Sequence, residues 1–164
     1  MMPAMATDRS YDGDLVLWAE DQARVLRSAA KARINLPVDW ENVAEEIESL
    51  GKSQGRELAS RIGSILVHLM KLQASPATEP RAGWRETIIE QRTEIRRLMD
   101  DSPSLRRAVD GAIAREAGSA AYQASTAIGD HGEAPLIDLQ AVAYSAEQVL
   151  GSWFPDSSGA AAAG

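Results

Sequence analysis

The chain has 164 residues, of which 45% are hydrophobic and 25% are charged, and its formal net charge is −7. These values are typical of one globular domain that is large enough to form a hydrophobic core. The absence of cysteine excludes disulfide bonds, thiolate metal sites and cysteine nucleophiles. The negative charge argues against broad nucleic-acid binding, in which clustered cations supply most of the affinity.

The ends of the sequence predict no targeting or membrane segment. No apolar run approaches the roughly 20 residues of a membrane-spanning helix, and the first residues lack the pattern of a signal peptide. We therefore expect a cytoplasmic protein with no membrane association. We interpret residues 1–10 as a disordered lead-in, residues 11–155 as one helical domain and residues 156–164 as a flexible tail.

Two helices are predicted in the first third of the domain. The first spans Tyr11–Arg33, with Asp12 as its N-cap. After Leu36-Pro37, Asp39 caps a second helix that ends at Gly51, a residue type common just after helix C-termini. The apolar face of this second helix contains Trp40, Val43, Ala44, Ile47 and Leu50. The same helix carries five acidic residues and no cation: Asp39, Glu41, Glu45, Glu46 and Glu48.

The third predicted helix, from about Ser53 to Ala74, is the most apolar of the chain. Its stripe contains Leu58, Ile62, Ile65, Leu69 and Leu72, and Leu66, Val67 and Met70 extend the apolar cover around the helix. A helix that is apolar on most sides is usually buried at the centre of its domain. We therefore expect the other helices to pack around Leu58–Leu72.

Three further helices are predicted in the second half. A fourth runs from Arg81 or Trp84 to Asp100, and a fifth starts at Ser102-Pro103, a cap followed by proline at the first helical position. Leu136–Tyr144 fits an extended or a helical conformation. A short last helix, Ser145–Leu150, has a capping box formed by Ser145 and Gln148, and Gly151 follows it. We expect Trp153 and Phe154 to pack onto the bundle.

The pattern predicts an all-α, single-domain helical bundle of four to five main helices plus a short C-terminal helix. The segments LWAEDQARVLR, DWENVAEEIESLGKS, LVHLMKLQ, WRETIIEQRTEIRRLMDDSPSL and AYSAEQVL together resemble the bacterial Domain of Unknown Function family 29. The resemblance covers roughly residues 11–155. It implies an all-helical, prokaryotic and cytoplasmic domain, and it implies no activity.

Five polar residues are candidates for a functional pocket: Gln22, Glu48, His68, Gln91 and Arg92. Gln22 and Gln91 occupy apolar positions of two helices, and a buried amide without hydrogen bonds costs about 1–3 kcal/mol. Arg92 would need a carboxylate, for which Glu48 or Glu46 is the expected partner. We favour an internal polar network that fixes helix register over a ligand pocket.

Metal binding and anion binding are weaker interpretations. His68 has no ExxH or HExxH pattern and no second helical histidine, so we expect no metal site and no cofactor. The acidic helix is interpreted as one side of an ion-pair network with the arginine-rich segment. Arg85, Arg92 and Arg96 share one side, but the interleaved Glu86, Glu90 and Glu94 favour a salt-bridged surface over a phosphate or nucleic-acid site.

The sequence favours a non-catalytic protein-interaction module. Its surfaces at residues 39–50 and 81–100 would bind a protein partner or a second copy of the chain. One alternative is a small metal-dependent hydrolase or nuclease-like enzyme centred on Glu48 and His68. Another is a nucleic-acid accessory protein that uses the arginines of residues 81–100.

Overall fold

A computed structural model describes residues 7–155 of the chain. These residues form five α-helices: α1 (Leu15–Lys31), α2 (Trp40–Ala74), α3 (Arg81–Asp101), α4 (Val109–Asp130) and α5 (Ala146–Leu150). Two 3₁₀ segments, Pro103–Ala108 and Leu139–Ala141, complete the secondary structure, and this part of the chain contains no strand. The prediction of an all-α fold with four to five main helices plus a short C-terminal helix is confirmed, and the described residues contain four main helices.

The predictions for the two ends lie largely outside the described residues. This holds for residues 1–6 of the expected lead-in and for the expected tail, residues 156–164. Residues 7–10 are described, and there Arg9 Nη2 donates to Asp21 Oδ1 at 2.8 Å. No helix in the described part of the chain is both long enough and apolar enough to cross a bilayer.

The described chain divides into two compact units. Unit 1 contains the described part of Met1–Glu57 together with Arg97–Arg107, and unit 2 contains Leu58–Arg96 together with the described residues from Ala108 onward. The long helices α2 and α3 each contribute residues to both units.

In unit 1, α1 begins at Leu15 and its N-cap is Asp14, so the prediction of Asp12 as the cap is wrong. The Asp14 carboxylate accepts from the Leu17 amide at 2.9 Å. It also accepts from the amide of Ser104 at 2.7 Å and from its hydroxyl at 3.0 Å. Asp14 is buried with three donors, whereas Asp12 is exposed. The cap therefore also ties α1 to a residue 90 positions away.

Residue Gly51 does not end a helix, because α2 runs unbroken through it. An added Cβ at this position would lie 3.3 Å from the Ala19 Cβ and 3.6 Å from the Val16 carbonyl oxygen. Glycine inside a helix costs only about 1 kcal/mol relative to alanine, so helical hydrogen bonding continues through it. We conclude that Gly51 allows the close approach of α1 to α2, and the predicted break into two helices is wrong.

The apolar segment of α2 is buried and lies in unit 2. Its large side chains are at most 3% exposed: Leu58, Ile62, Ile65, Leu66, Leu69, Met70 and Leu72. That all the other helices pack around this segment in one domain stays a prediction. The helix α4 adds small buried residues, namely Ala112, Ala120, Ala121 and Ala124. Such alanines let neighbouring segments approach closely, and α4 contacts both Leu139–Ala141 and α5.

The predicted start of the fifth helix is wrong in detail. Pro103 begins a 3₁₀ segment, and the regular helix α4 starts six residues later. The Ser102 side chain is fully buried and its hydroxyl has no hydrogen-bond partner, so it does not act as a cap. At α5, in contrast, the predicted capping box of Ser145 and Gln148 is present. Leu136–Tyr144 forms neither a regular α-helix nor a strand: it contains a bend at residues 136–137 and the 3₁₀ turn Leu139–Ala141.

Two helical glycines of α2 provide a matched test of the α1 contact. Nothing lies within 4 Å of an added Cβ at Gly55, so Gly55→Ala should stabilise the protein by about 0.5–1 kcal/mol through helix propensity. Gly51→Leu should destabilise it by about 1–3 kcal/mol, because the larger side chain must displace Ala19 and the α1 backbone. Urea unfolding followed by circular dichroism measures both changes. Stabilisation by both substitutions would contradict the proposed contact.

Candidate functional site

The five predicted site residues divide between the two units. Gln22 and Glu48 belong to unit 1, and His68, Gln91 and Arg92 belong to unit 2. The convergence of all five on one pocket stays a prediction. Within each unit, however, the partners of the individual side chains are defined, and several differ from those expected.

Glu48 is neutralised by cations of its own unit. Its Oε2 accepts from Arg27 Nη2 at 2.8 Å, and Lys52 Nζ lies 3.5 Å from Oε1. The hydrogen bond from Arg27 lowers the pKa of the Glu48 carboxyl group, and the charges of Arg27 and Lys52 add to this effect. The carboxylate therefore belongs to an exposed ion-pair cluster with α1, and the expected pairing with Arg92 is wrong.

His68 is half-buried and bonded to its own helix. Its Nδ1 lies 2.8 Å from the carbonyl oxygen of Ser64, which requires a proton on Nδ1 and leaves Nε2 as the acceptor of the neutral ring. Burial lowers the pKa of His68 and the nearby Lys71 adds to this, while the bond to Ser64 opposes it. In residues 7–155, no group of three or more histidine, aspartate or glutamate side chains is arranged to hold a metal ion.

The two glutamines are half-buried rather than fully buried. The side-chain oxygen of Gln91 accepts from Arg61 Nη1 at 3.0 Å. Half-burial removes most of the penalty that a fully enclosed amide would carry, so the sequence argument for an enclosed polar network loses much of its force at these positions.

Arg92 is 4% exposed and bonds to backbone carbonyls instead of a carboxylate. Its Nε donates to the oxygen of Val149 at 2.9 Å, and its Nη2 donates to those of Gln148 at 2.8 Å and Trp153 at 2.7 Å. The last carbonyls of a helix have no partner inside that helix, and they form the negative end of its dipole. The C-terminus of α5 therefore supplies two of the three acceptors and Trp153, after the helix, supplies the third; the expected partner Glu48 or Glu46 is wrong.

A close approach of the backbone follows α5. Gly151 has φ −78°, an ordinary value, but an added Cβ would lie 2.6 Å from the carbonyl oxygen of Glu147. Any side chain at this position would thus collide with the backbone of the helix whose final carbonyls bind Arg92. Glycine is required here by space, not by backbone conformation.

Two arginines of α3 contact the ring of Phe154. The Cζ atoms of Arg85 and Arg92 lie 3.9 Å and 4.8 Å from the centre of its ring, in cation–π range. Beside them is a cavity of about 400 Å³ lined by Ile89, Arg92, Arg96, Leu150, Gly151, Ser152 and Phe154. Burial lowers the pKa of Arg92, and the charges of Arg85 and Arg96 lower it further.

The expected salt-bridged surface is wrong for these three arginines. In the described part of the chain, no carboxylate lies within ion-pair distance of Arg85, Arg92 or Arg96. At about 100° per residue, Glu86, Glu90 and Glu94 point more than about 100° away from Arg92 around the helix. Interleaving along the sequence therefore separates the two charge types onto different faces instead of neutralising them.

A second cavity in unit 2 is mostly apolar. It has a volume of about 300 Å³ and is lined by residues of α2, α4 and the segment Val142–Ala146, with one carboxylate, Asp110. The Tyr144 hydroxyl donates to Gln73 Oε1 at 2.8 Å, and burial raises the pKa of Tyr144. Its mostly apolar lining suits the packing of an apolar group.

Comparisons with known proteins identify a family and a similar structure, and neither has a described activity. A family model described as Domain of unknown function DUF29 matches residues 10–154. A crystal structure of an α-helical protein of unknown function from Rhodospirillum rubrum is 29% identical, with a TM-score of 0.74. The match covers 96% of this chain and 99% of that chain. A search of curated proteins gives no match.

The half-burial of His68 predicts a pH dependence of stability. Its pKa is lower in the folded protein than in the unfolded chain, so the unfolded state binds more protons as the pH falls through the ordinary histidine range. The free energy of unfolding should therefore decrease from pH 7.5 to pH 5.5. Urea unfolding of His68→Gln should show a smaller decrease over that range. An identical pH dependence in the two proteins would contradict this prediction.

The carbonyl acceptors of Arg92 predict a large difference between two neighbouring arginines. Arg92→Lys keeps the charge but cannot reach three carbonyls in the same geometry, and should destabilise the protein by about 2–4 kcal/mol. Arg96→Lys, at an exposed position, should change stability by less than about 0.5 kcal/mol. Thermal and urea unfolding measure both. Equal effects would show that the carbonyl bonds contribute little.

Proposed function

This chain belongs to the family described as Domain of unknown function DUF29, and from that premise we propose that it is a non-catalytic protein-interaction module. The observation that carries the proposal is a concentration of exposed aliphatic side chains in unit 1. Of the eleven large hydrophobic residues exposed in the described chain, five fall within residues 34–50. We call these five the apolar patch: Ile34, Leu36, Val38, Val43 and Leu50.

The apolar patch has two parts. Ile34, Leu36 and Val38 belong to the connector between α1 and α2, in which every residue from 32 to 39 is exposed. Val43 and Leu50 are seven residues apart on α2, so they share one side of the helix after two turns. Scattered surface aliphatic residues need no explanation, but clustered ones are typical of protein contact sites.

The charges around the apolar patch indicate the chemistry of the partner. Asp39, Glu41, Glu45 and Glu46 are exposed on the same segment of α2 or just before it. A surface of complementary charge, with lysines or arginines around an apolar centre, fits this segment and would bind faster at low ionic strength. A symmetric dimer would bring these acidic residues against their own copies. We therefore favour a different protein as the partner.

The metal-dependent hydrolase has less support. Both oxygens of Glu48 interact with Arg27 or Lys52, and Nδ1 of His68 is used by Ser64. Metal that copurifies at one equivalent and is lost in His68→Gln would contradict the non-catalytic proposal.

Site-specific cross-linking tests the interaction module. A photo-reactive residue in place of Val43 should trap a partner in cells of the native host, and mass spectrometry identifies it. With the purified partner, the doubly substituted Glu45→Lys/Glu46→Lys protein should bind about tenfold or more weakly. Raising the salt concentration should weaken binding of the unsubstituted protein as well.

The control makes the same charge change on another helix. Both positions are exposed, and Glu86→Lys/Glu90→Lys on α3 should leave the affinity unchanged, because the present proposal places the contact at the apolar patch and no longer at residues 81–100. Normal binding by the Glu45→Lys/Glu46→Lys protein would contradict the proposal. So would a further loss of its binding when a basic residue of the partner is replaced by an acidic one, because opposite charges should then restore binding. The same photo-reactive residue placed at exposed Tyr122 controls for collisional labelling.

A further inference from the structure

We propose that unit 2 binds a small organic anion, a carboxylate or phosphate on an apolar body, in the cavity beside Arg92, Arg96 and Phe154. The site is separate from the apolar patch, and the proposal does not depend on the interaction module. It follows from three observations on the residues that line the cavity: two donors of Arg92 without an acceptor in residues 7–155, arginines without a carboxylate partner in the same range, and an apolar wall.

The first observation concerns the donors of Arg92. A guanidinium group carries five N–H donors, one on Nε and two on each terminal nitrogen. The donor on Nε and the two on Nη2 bind the carbonyls of Val149, Gln148 and Trp153. No hydrogen bond among the described residues uses the two donors on Nη1, and Nη1 is not one of the buried atoms that lack a partner. The side chain that carries it lines the cavity. Unused donors at a buried cation favour an oxygen anion.

The second observation concerns charge. The guanidinium groups of Arg85, Arg92 and Arg96 are close enough for the two neighbours to lower the pKa of Arg92. None of them is paired with a carboxylate in residues 7–155, and the cavity lining contains no acidic residue. Like charges held together in a partly desolvated place repel one another, and a bound anion would relieve that repulsion.

The third observation concerns the shape and polarity of the walls. Ile89, Leu150 and Phe154 contribute the large apolar side chains of the lining, and Ile89 is 52% exposed although it is aliphatic. A cavity of about 400 Å³ lies at the lower end of the usual range for small-molecule sites, roughly 300–1,000 Å³. The arrangement fits one ring or a short aliphatic chain that ends in an anionic group.

Nucleic acid fits this site less well than a small anion. The acidic residues Glu86 and Glu90 occupy the neighbouring face of α3, where a polyphosphate backbone would have to continue. A single aromatic ring, Phe154, lies at the cavity, and both of its described cation contacts are made with arginines of this chain. Binding of an extended single-stranded nucleic acid needs a longer row of cations and several aromatic rings that stack on the bases.

Isothermal titration with matched probes tests the proposal on the full chain. The probes are 4-phenylbutyrate, phenyl phosphate and 4-phenylbutyramide, the last being a neutral analogue of the first. We expect the anions to bind at least tenfold more tightly than the amide. The ratio of the two anion affinities identifies the preferred head group.

Two variants and one control locate the binding. Arg96→Gln and Ile89→Glu change exposed side chains, so folding should be retained, and each should weaken anion binding about tenfold. Arg115→Gln removes an exposed arginine of α4 and should leave it unchanged. In nitrogen-15 spectra, the arginine Nε–H signal that is lost in Arg92→Lys should shift on addition of the anion.

In the sequence, the carboxylate residue Asp156 directly follows the described residues. All titrations are therefore repeated in Asp156→Asn. Anion-selective binding in either background supports the site, and its absence at millimolar concentration in both overturns it. Equal binding of acid and amide, equal effects of Arg96→Gln and Arg115→Gln, or tighter binding of a single-stranded oligonucleotide than of either anion would also overturn it.

Discussion

A buried cation held by backbone carbonyls is the constraint on which unit 2 depends. Removing a guanidinium group from water is costly unless its donors are satisfied, and Arg92 receives three acceptors from the end of α5 and the residues after it. The same bonds fix the C-terminal segment against α3. One side chain thus holds the segment after α5 against α3 and leaves a positive charge beside a cavity.

The elements that sequence periodicity predicts well are those decided by burial along one helix. The apolar rod Leu58–Leu72 is such a case, because its stripe is continuous and each side chain is buried independently of the others. The capping box of α5 is another, since Ser145 and Gln148 interact within four residues. Such features are predictable because the interactions that stabilise them are formed by residues close together in the sequence.

The features that the sequence did not reveal all depend on contacts between distant residues. Gly51 is a residue type that commonly follows a helix C-terminus. Only its distance to Ala19 in the structure shows that it allows close helix packing. Asp14 caps α1 rather than Asp12 because Ser104 adds two donors. Arg92 binds backbone carbonyl oxygens, and every residue has one, so no residue type in the sequence identifies its partners. The sequence signals for this contact are the position of Arg92 beside the apolar stripe of its helix and the aromatic pair that follows the short helix α5.

Gly151 has a consequence for how relatives of this chain can diverge. Its hydrogen atom faces the Glu147 carbonyl at a distance that excludes any larger group, immediately beside the acceptors of Arg92. A relative that replaces this glycine must redirect the chain after α5, and the acceptors would then leave the arginine. We therefore expect positions 92 and 151 to vary together during evolution. Where the pair is lost, a different side chain must anchor the end of the domain.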